Sequence, residues 1–333
     1  MTGLPAGRQA LAGRGQLGQL EIRNFKICIM EHIPVLLDET IYYLAPQKNG
    51  IYVDATLGGG GHTEKIADLI PSNGIKIVAI DQDLVAIEIA KKRLARYGKK
   101  IEYVHDNFRN LDLILEKLNI KEVDGIFFDL GVSIYQLENP ERGFSFSEKD
   151  ENLKARLDMR MNPKEILTAY KVINEYKENQ LRDIFFKFGE EPYAGKIARR
   201  IVLRREKNPL KTINDLLMVI KSATPPKYRW SKKKHYASKV FRAIRMEVNQ
   251  ELRVLEEVLP KAIKAIKKTG KLVIISFHSL EDRIVKQKFK EFAGKEYPLI
   301  KILTKKPVVP TKEEIERNPK ARSAKLRAAE KIC

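Results

Sequence analysis

Cysteine is nearly missing from this 333-residue chain: only Cys28 and Cys333 occur, too few for a disulfide framework, a thiolate zinc site or an iron–sulfur cluster. Long apolar runs are missing as well. Stretches such as Lys271-Leu-Val-Ile-Ile-Ser-Phe277 fall far short of the ~20 residues a membrane-spanning helix needs, so no membrane segment is expected. The first thirty residues are rich in glycine and lack the continuous apolar stretch and small-residue cleavage site of a secretory signal. A cytoplasmic protein is therefore expected. Met30 stands directly before the first well-patterned segment, so residues 1–29 read as a disordered or non-native N-terminal extension. Neither an internal repeat nor a low-complexity stretch is visible.

Hydrophobic residues make up 43% of the chain, enough to bury a sizeable core in one large domain or two ordinary ones. The formal net charge is +20, which suggests a polyanionic partner without locating the contact. Residues 191–250 carry 16 lysines and arginines against 4 acids, whereas residues 51–130 carry 11 against 13. The basic excess thus lies outside the first half. Solvated lysine-rich helices or life at high temperature would produce a similar bias.

Between residues 51 and 130, short β-branched runs alternate with longer amphipathic ones, the pattern of βαβ units on a parallel sheet. Strands are expected at 50–54, 75–80, 101–104 and 123–128, with helices at 84–97 and 111–118 between them. The strand signal then disappears for over a hundred residues. Helices are expected near 178–188, 193–206, 212–222 and 237–268, which reads as an inserted helical domain. A strand returns at 271–277 after Thr269-Gly270, followed by an amphipathic run from Ser279 to Phe292. Residues 299–309 suit another strand, and 311–331 read as a polar, partly helical tail.

The expected fold is therefore α/β, a doubly wound sheet with an all-helical insertion. Its parts are residues 30–140, a first portion of the sheet domain; 141–248, the insertion, suited to binding substrate; and 249–333, the second portion with its tail.

The most specific local signal is Asp54-Ala-Thr-Leu-Gly58-Gly-Gly-Gly61-His62, between a strand and a helix. Consecutive glycines let the backbone turn sharply and approach a ligand where a Cβ would collide. Asp81 ends the next strand, where a carboxylate can accept both hydroxyls of a ribose. That spacing suits NAD as well as S-adenosylmethionine. The glycines depart from G-x-G-x-x-G, and S-adenosylmethionine has no pyrophosphate, so the departure favours the sulfonium cofactor. Asp106-Asn107-Phe108 follows the third strand, where a polar group can meet an adenine edge and Phe108 pack on its face. The fourth strand ends in Asp129-Leu-Gly131-Val-Ser133, at the sheet edge where methyl donor and acceptor must meet.

Seven strings in order resemble the RsmH (MraW) family and together span residues 31–330. They are His32-Ile-Pro-Val-Leu-Leu-Asp-Glu39, Asp54 to His62, Asp129 to Ser133, Glu141-Arg-Gly-Phe-Ser-Phe146, Leu157-Asp-Met-Arg-Met161, Phe241-Arg-Ala-Ile-Arg245 and Ser276-Phe-His-Ser-Leu-Glu-Asp-Arg283. The resemblance implies a class I S-adenosylmethionine-dependent methyltransferase with a Rossmann-like sheet. It also implies action on the N4 amine of a decoding-centre cytidine in 16S ribosomal RNA, within the small ribosomal subunit. The family's cofactor positions carry over onto Gly60, Gly61, His62, Asp81, Phe108, Asp129 and Gln136, to which the loop adds Gly58. Two departures touch the expected site. The family's Gly-Val-Ser-Ser-Pro-Gln reads Gly131-Val-Ser-Ile134-Tyr135-Gln136, and extra residues stand at 152–156 before Leu157.

The N4 amine is a poor nucleophile because its lone pair is delocalised into the ring, so catalysis depends on holding it in line with the sulfonium methyl. No metal is required. Asp129 and Ser133 are the candidates for orienting the amine, and Tyr135, Phe144 or Phe146 for stacking on an extruded base. His278 is a further catalytic candidate, although Ser276 or Ser279 with Glu281 and Asp282 also suits a plain helix start. Arg199, Arg200, Arg204, Arg205 and Lys232, Lys233 and Lys234 are the candidates for phosphate contacts. Two other activities remain. A DNA amino-methyltransferase would carry Asp/Asn-Pro-Pro-Tyr/Phe where this chain has Asp129-Leu-Gly-Val; an assembly factor would carry the cofactor site as a vestige.

Overall fold

Each of the first four strands carries apolar side chains on both of its faces, as a strand sandwiched between helix layers must. In a computed structural model that describes residues 33–70, 74–147, 150–230, 235–294, 296 and 298–333, they are β1 (Gly50–Asp54), β2 (Ile75–Asp81), β3 (Ile101–His105) and β4 (Val123–Asp129). Three more follow: β5 (Ile266–Ser276), β6 (Ile300–Ile302) and β7 (Lys325–Lys331). The sheet order is β3-β2-β1-β4-β5-β7-β6, parallel from β3 through β5, with β7 antiparallel to both of its neighbours. The proposed extension at residues 1–29 lies outside the described residues.

Alternation along β4 shows how the two faces are filled. Phe127 points to one side, with Tyr52, Ile77, Val273 and the helices α1 (Leu37–Leu44), α2 (Gly61–Leu69) and α3 (Leu84–Arg93). Phe128 points to the other, with Val53, Ile80 and Ile274. Short helices α4 (Leu111–Lys117), α5 (Ile134–Glu138) and α6 (Asp150–Lys154) follow in the chain. Then come six helices of the middle region, α7 (Ala169–Glu175), α8 (Glu178–Lys187), α9 (Ala194–Arg205), α10 (Ile213–Ala223), α11 (Pro226–Trp230) and α12 (Ser238–Val248). Their apolar faces share a core of their own, from Phe144 to Val248, which includes Phe185, Ile197 and Phe241. The chain returns through α13 (Glu251–Ala265) and α14 (Ser279–Phe292), which cover the Phe128 face, and α15 (Lys312–Arg317) precedes β7.

Three expectations are corrected. The single helix over 237–268 is broken at Asn249 and Gln250, the latter with φ of 50°, and the strand begins already at Ile266. Asn249 makes the break: its Oδ1 accepts from Met161 N (2.8 Å) and its Nδ2 donates to Met159 O (2.9 Å). The strand expected over 299–309 is only Ile300–Ile302. The supposed polar tail supplies β7, inside the sheet between β5 and β6. Its buried Arg327 is held by Asp282 of α14, Nε to Oδ1 at 2.6 Å.

Candidate active site

Parallel β1, β2 and β4 end side by side, and each ends in an aspartate; Asp54 is buried, while Asp81 and Asp129 line a crevice at the position where open α/β sheets bind ligands. Asp54 accepts from Thr56 N (3.1 Å) and Thr63 Oγ1 (2.7 Å). Asp81 accepts from Gly58 N and Asp83 N, each at 2.8 Å. Asp129 is different. Its backbone N–H donates to Thr56 Oγ1 (2.6 Å), but its buried Oδ1 has no hydrogen-bond partner. Burial pushes Asp54 up to about 6 and Asp81 up to about 7. Asp129 stands well above the usual carboxylate range, through burial first and then the charges of Asp54 and Glu281.

The glycine loop divides its labour. Gly58 has φ of 50°, and where a Cβ would stand only Thr56 O lies near, at 3.9 Å, so no packing against the protein demands this glycine. At Gly61, a Cβ would meet Pro34 Cγ at 2.4 Å, so this glycine admits the N-terminal segment. Gly60, expected among the cofactor residues, has φ of 79°, and a Cβ there would meet Leu94 and Ala90. His62 is buried, 3.0 Å by Nε2 from Val35 O, with Nδ1 3.8 Å from Asp129 Oδ2 and its ring on Phe127. The string beginning at His32 thus lids the loop through Pro34 and Val35.

The remaining wall comes from Gln82, Asn107, Phe108 and Tyr135. Phe108 meets Phe128 edge-on at 5.4 Å, so one face of its ring is core and the rest lines the crevice. Gln82 was not singled out in the sequence; its place directly after Asp81 was the available signal. Ser133 and Gln136 also line the crevice, but as a capping box of α5, each bonded to the other's backbone. The Gln136 amide donates to Asp83 (2.9 Å), which also pairs with Arg142 at 2.8 Å. Arg142 donates in turn to the carbonyls of Arg160 and Met161. This buried Asp83–Gln136–Arg142 link ties two of the distinctive strings to the crevice.

His278, not Ser276 or Ser279, caps α14: Nδ1 accepts from Glu281 N at 3.3 Å. Its other nitrogen lies 3.1 Å from Glu281 Oε1, skewed so that no hydrogen bond forms. Glu251, His278 and Glu281 bring ligand-type atoms within 4.8 Å of one another. Both Glu251 oxygens are engaged by Arg245 at 2.8 Å, so a protein cation already compensates this group.

Other expected residues lie elsewhere. Phe144 is in the helical core, and Phe146 packs on His235 and Phe241, so neither is a stacking surface in the crevice, whereas Tyr135 is, set against Gly59. Arg199, Arg200 and Arg204 are exposed on α9. Arg205 is corrected: it donates to Ile173 O and Tyr176 O, both at 2.6 Å, and so caps α7. Lys232, Lys233 and Lys234 lie outside the described residues.

The crevice suits S-adenosylmethionine. Gly58 leaves room for close backbone approach, Asp81 offers a carboxylate to the crevice, and Phe108 offers an aromatic edge. The unpartnered oxygen of Asp129 stands where positive charge is favoured.

Known proteins agree. The MraW methylase family model matches residues 29–332. A Clostridium botulinum protein called ribosomal RNA small subunit methyltransferase H is 50% identical, covering 91% of this chain and 99% of its own length. Its counterpart from Halothermothrix orenii is 46% identical with the same coverage. A solved rRNA methylase from Streptococcus thermophilus is 13% identical with a TM-score of 0.40, over 89% of this chain and 94% of its own, too distant to bear on function.

Proposed function

Because the chain belongs to the MraW methylase family, a family of S-adenosylmethionine-dependent methyltransferases, we propose that it methylates the N4 amine of a cytidine in the decoding centre of 16S ribosomal RNA, acting on the small ribosomal subunit. The observation that carries the reading is the Asp129 carboxylate, half-buried at the end of β4 with its buried Oδ1 unsatisfied. An acceptor aimed into a crevice at that depth needs a donor, and the exocyclic amine of cytosine supplies one.

When bound, the cofactor supplies an electrophilic methyl group that passes to the N4 lone pair as the carbon–sulfur bond breaks and a neutral thioether leaves. The protein's part is positional and electrostatic. Asp129 accepts an N4 hydrogen, which turns the amine lone pair toward the methyl group, and takes up the proton released after transfer. The Ser133 hydroxyl, whose oxygen already accepts from Gln136 N, retains its own hydrogen to donate in the crevice. Asp81 holds the ribose, and Tyr135, set against Gly59, walls the cofactor side of the crevice. Arg199, Arg200 and Arg204 would hold flanking phosphates, giving salt-sensitive affinity without base preference. No helix among the described residues is long and apolar enough to cross a membrane.

The test is transfer of labelled methyl from S-adenosylmethionine to small subunits purified from cells lacking the endogenous enzyme, with nucleosides then analysed by mass spectrometry. N4-methylated cytidine is expected. Methylation of another nucleoside would overturn the substrate assignment, and no cofactor binding would overturn the site.

A further inference from the structure

A second cavity of about 570 Å³ opens beside the cofactor crevice and shares with it Leu130, Gly131, Val132, Leu137, Phe277 and Lys320. Its size falls within the range of ordinary small-molecule sites, roughly 300–1,000 Å³. Away from the shared edge, where Lys320 stands, the wall carries Lys239, Arg242 and Arg245 with one lining carboxylate, Glu190, while Glu251 and Glu281 lie behind it. Arg245 is committed to Glu251. Arg242 is not committed in this way. It donates to the carbonyls of Phe188 and Gly189, its Nε is buried with no hydrogen-bond partner, and no carboxylate among the described residues lies within ion-pair distance. A half-buried guanidinium in that setting favours an anion.

His278 also lines this cavity; its side chain is only 6% exposed, and its Nε2 lies 3.1 Å from Glu281 Oε1 but out of line for a hydrogen bond, with no other partner among the described residues. Because Nδ1 accepts the Glu281 backbone N–H, a neutral imidazole carries its hydrogen on Nε2. The cavity wall therefore presents a fixed donor next to the crevice that contains the Asp129 acceptor. Cytosine offers the complement along its Watson–Crick edge: a donor at N4 and acceptors at N3 and O2. Uracil reverses the pattern at positions 4 and 3.

We propose that this second cavity seats the acceptor cytidine of the RNA, with His278 Nε2–H donating to the N3/O2 edge while Arg242, with Lys239 and Lys320, holds the adjoining phosphate. The proposal rests on the methyl-transfer reading above and adds to it the acceptor site and the basis of base choice. A uracil in this seat would present N3–H to the His278 donor and O4 to Asp129, so only its O2 would remain as an acceptor and the N4 contact would be lost. Sites built on such pairing reject the wrong partner strongly.

Three variants of the full chain separate the roles. His278→Asn keeps a side-chain oxygen to cap α14 but has no donor at the Nε2 position. His278→Gln restores an N–H near that position. Arg242→Gln removes the cavity's uncommitted charge. With small subunits as substrate, His278→Asn is expected to lower kcat/KM by 10- to 100-fold and His278→Gln to recover part of the loss. Arg242→Gln is expected to raise KM and reduce the salt dependence of log kcat/KM by about one in slope. Labelled S-adenosylmethionine, measured by equilibrium dialysis, should bind all three as it binds wild type. Saturation-transfer NMR of the cofactor-loaded wild type should detect cytidine 5′-monophosphate over uridine 5′-monophosphate, and this contrast should vanish in His278→Asn. Wild type that methylates subunits while His278→Asn and Arg242→Gln match it would overturn this proposal alone. So would equal signals from the two nucleotides, or losses of activity that only follow losses of cofactor binding. Wild type that binds cofactor but leaves N4 of cytidine unmodified would instead strike the underlying reading.

Discussion

Pro34 occupies the space where a Cβ on Gly61 would stand, with its Cγ 2.4 Å from that position. The fourth glycine of the loop is thus demanded by the protein's own N-terminal segment. Next to it, Val35 O accepts from His62, which approaches Asp129. Gly61→Ala is expected to cost about 1–3 kcal/mol of stability by overpacking and to weaken cofactor binding through the displaced His62. Chemical denaturation of Gly61→Ala alone and combined with Pro34→Ala checks this. The second change should reduce the penalty of the first; strictly additive effects would show that the two residues do not compete for space.

Asp83 supports a second prediction. Its side chain is 3% exposed and shared between Gln136 and Arg142. Arg142→Ala would leave a buried carboxylate without its cation, a loss on the order of 3–5 kcal/mol. It would also free the carbonyls of Arg160 and Met161. A urea midpoint lowered with unchanged slope is the expected result. A midpoint equal to wild type would mean the carboxylate is hydrated.

These two cases show what was legible in the sequence. Strands β1 to β4 were readable because burial on both faces leaves nearly continuous apolar runs, and the aspartates closing β1, β2 and β4 follow from strand ends alone. Strand β7 was not, since Lys325-Leu-Arg-Ala-Ala-Glu-Lys331 carries charges whose partners, Asp282 and Lys271, come from distant elements. The break at Asn249 was hidden for the same reason: Met161, which donates to it, lies 88 residues away. Ser133 and Gln136 do carry the Ser-x-x-Gln spacing of a capping box, a local signal overlooked in favour of direct ligand contacts. Arg142 was read only as part of a family string. Its partner Asp83 is across the fold.

Asp81 connects stability with binding. Its pKa, raised to about 7 by burial, lies above the ~3.9 of an unfolded chain. The sign follows: the contribution is complete below the unfolded value and is lost as pH rises through the folded one. Asp54, raised to about 6, acts in the same direction. The cofactor-free protein should therefore lose stability from about pH 4 to pH 7 on account of these two groups. Asp81→Asn should show a shallower decline in thermal scans across that window. Cofactor affinity should run the other way, rising with pH through about 7 as the carboxylate becomes available to ribose hydroxyls. Asp81→Asn should bind cofactor roughly 10- to 100-fold more weakly, as expected for hydrogen bonds to a charged group. An unchanged affinity would remove Asp81 from the ribose.

Asp129 gives the last prediction, and it separates a catalytic carboxylate from a structural one. Burial, Asp54 and Glu281 together hold it protonated well above the ordinary carboxylate range in the free protein. Only the ionised form can take up the released proton, so methyl transfer should rise with pH along the acid limb. The limb of kcat/KM reports the free enzyme, and that of kcat reports the loaded complex. A sulfonium beside Asp129 favours its charged form, so the kcat limb should lie at lower pH than the kcat/KM limb. Asp129→Asn keeps the shape but loses the ionisable acceptor. It is expected to lose at least about 100-fold in kcat, as removal of a positioned general base does, and to lose the acid limb with it. Rates across pH 5–9 with saturating and with limiting subunits measure both quantities. Coincident limbs would mean that no positive charge sits beside Asp129 in the complex. An acid limb that survives in Asp129→Asn would assign the proton to another group.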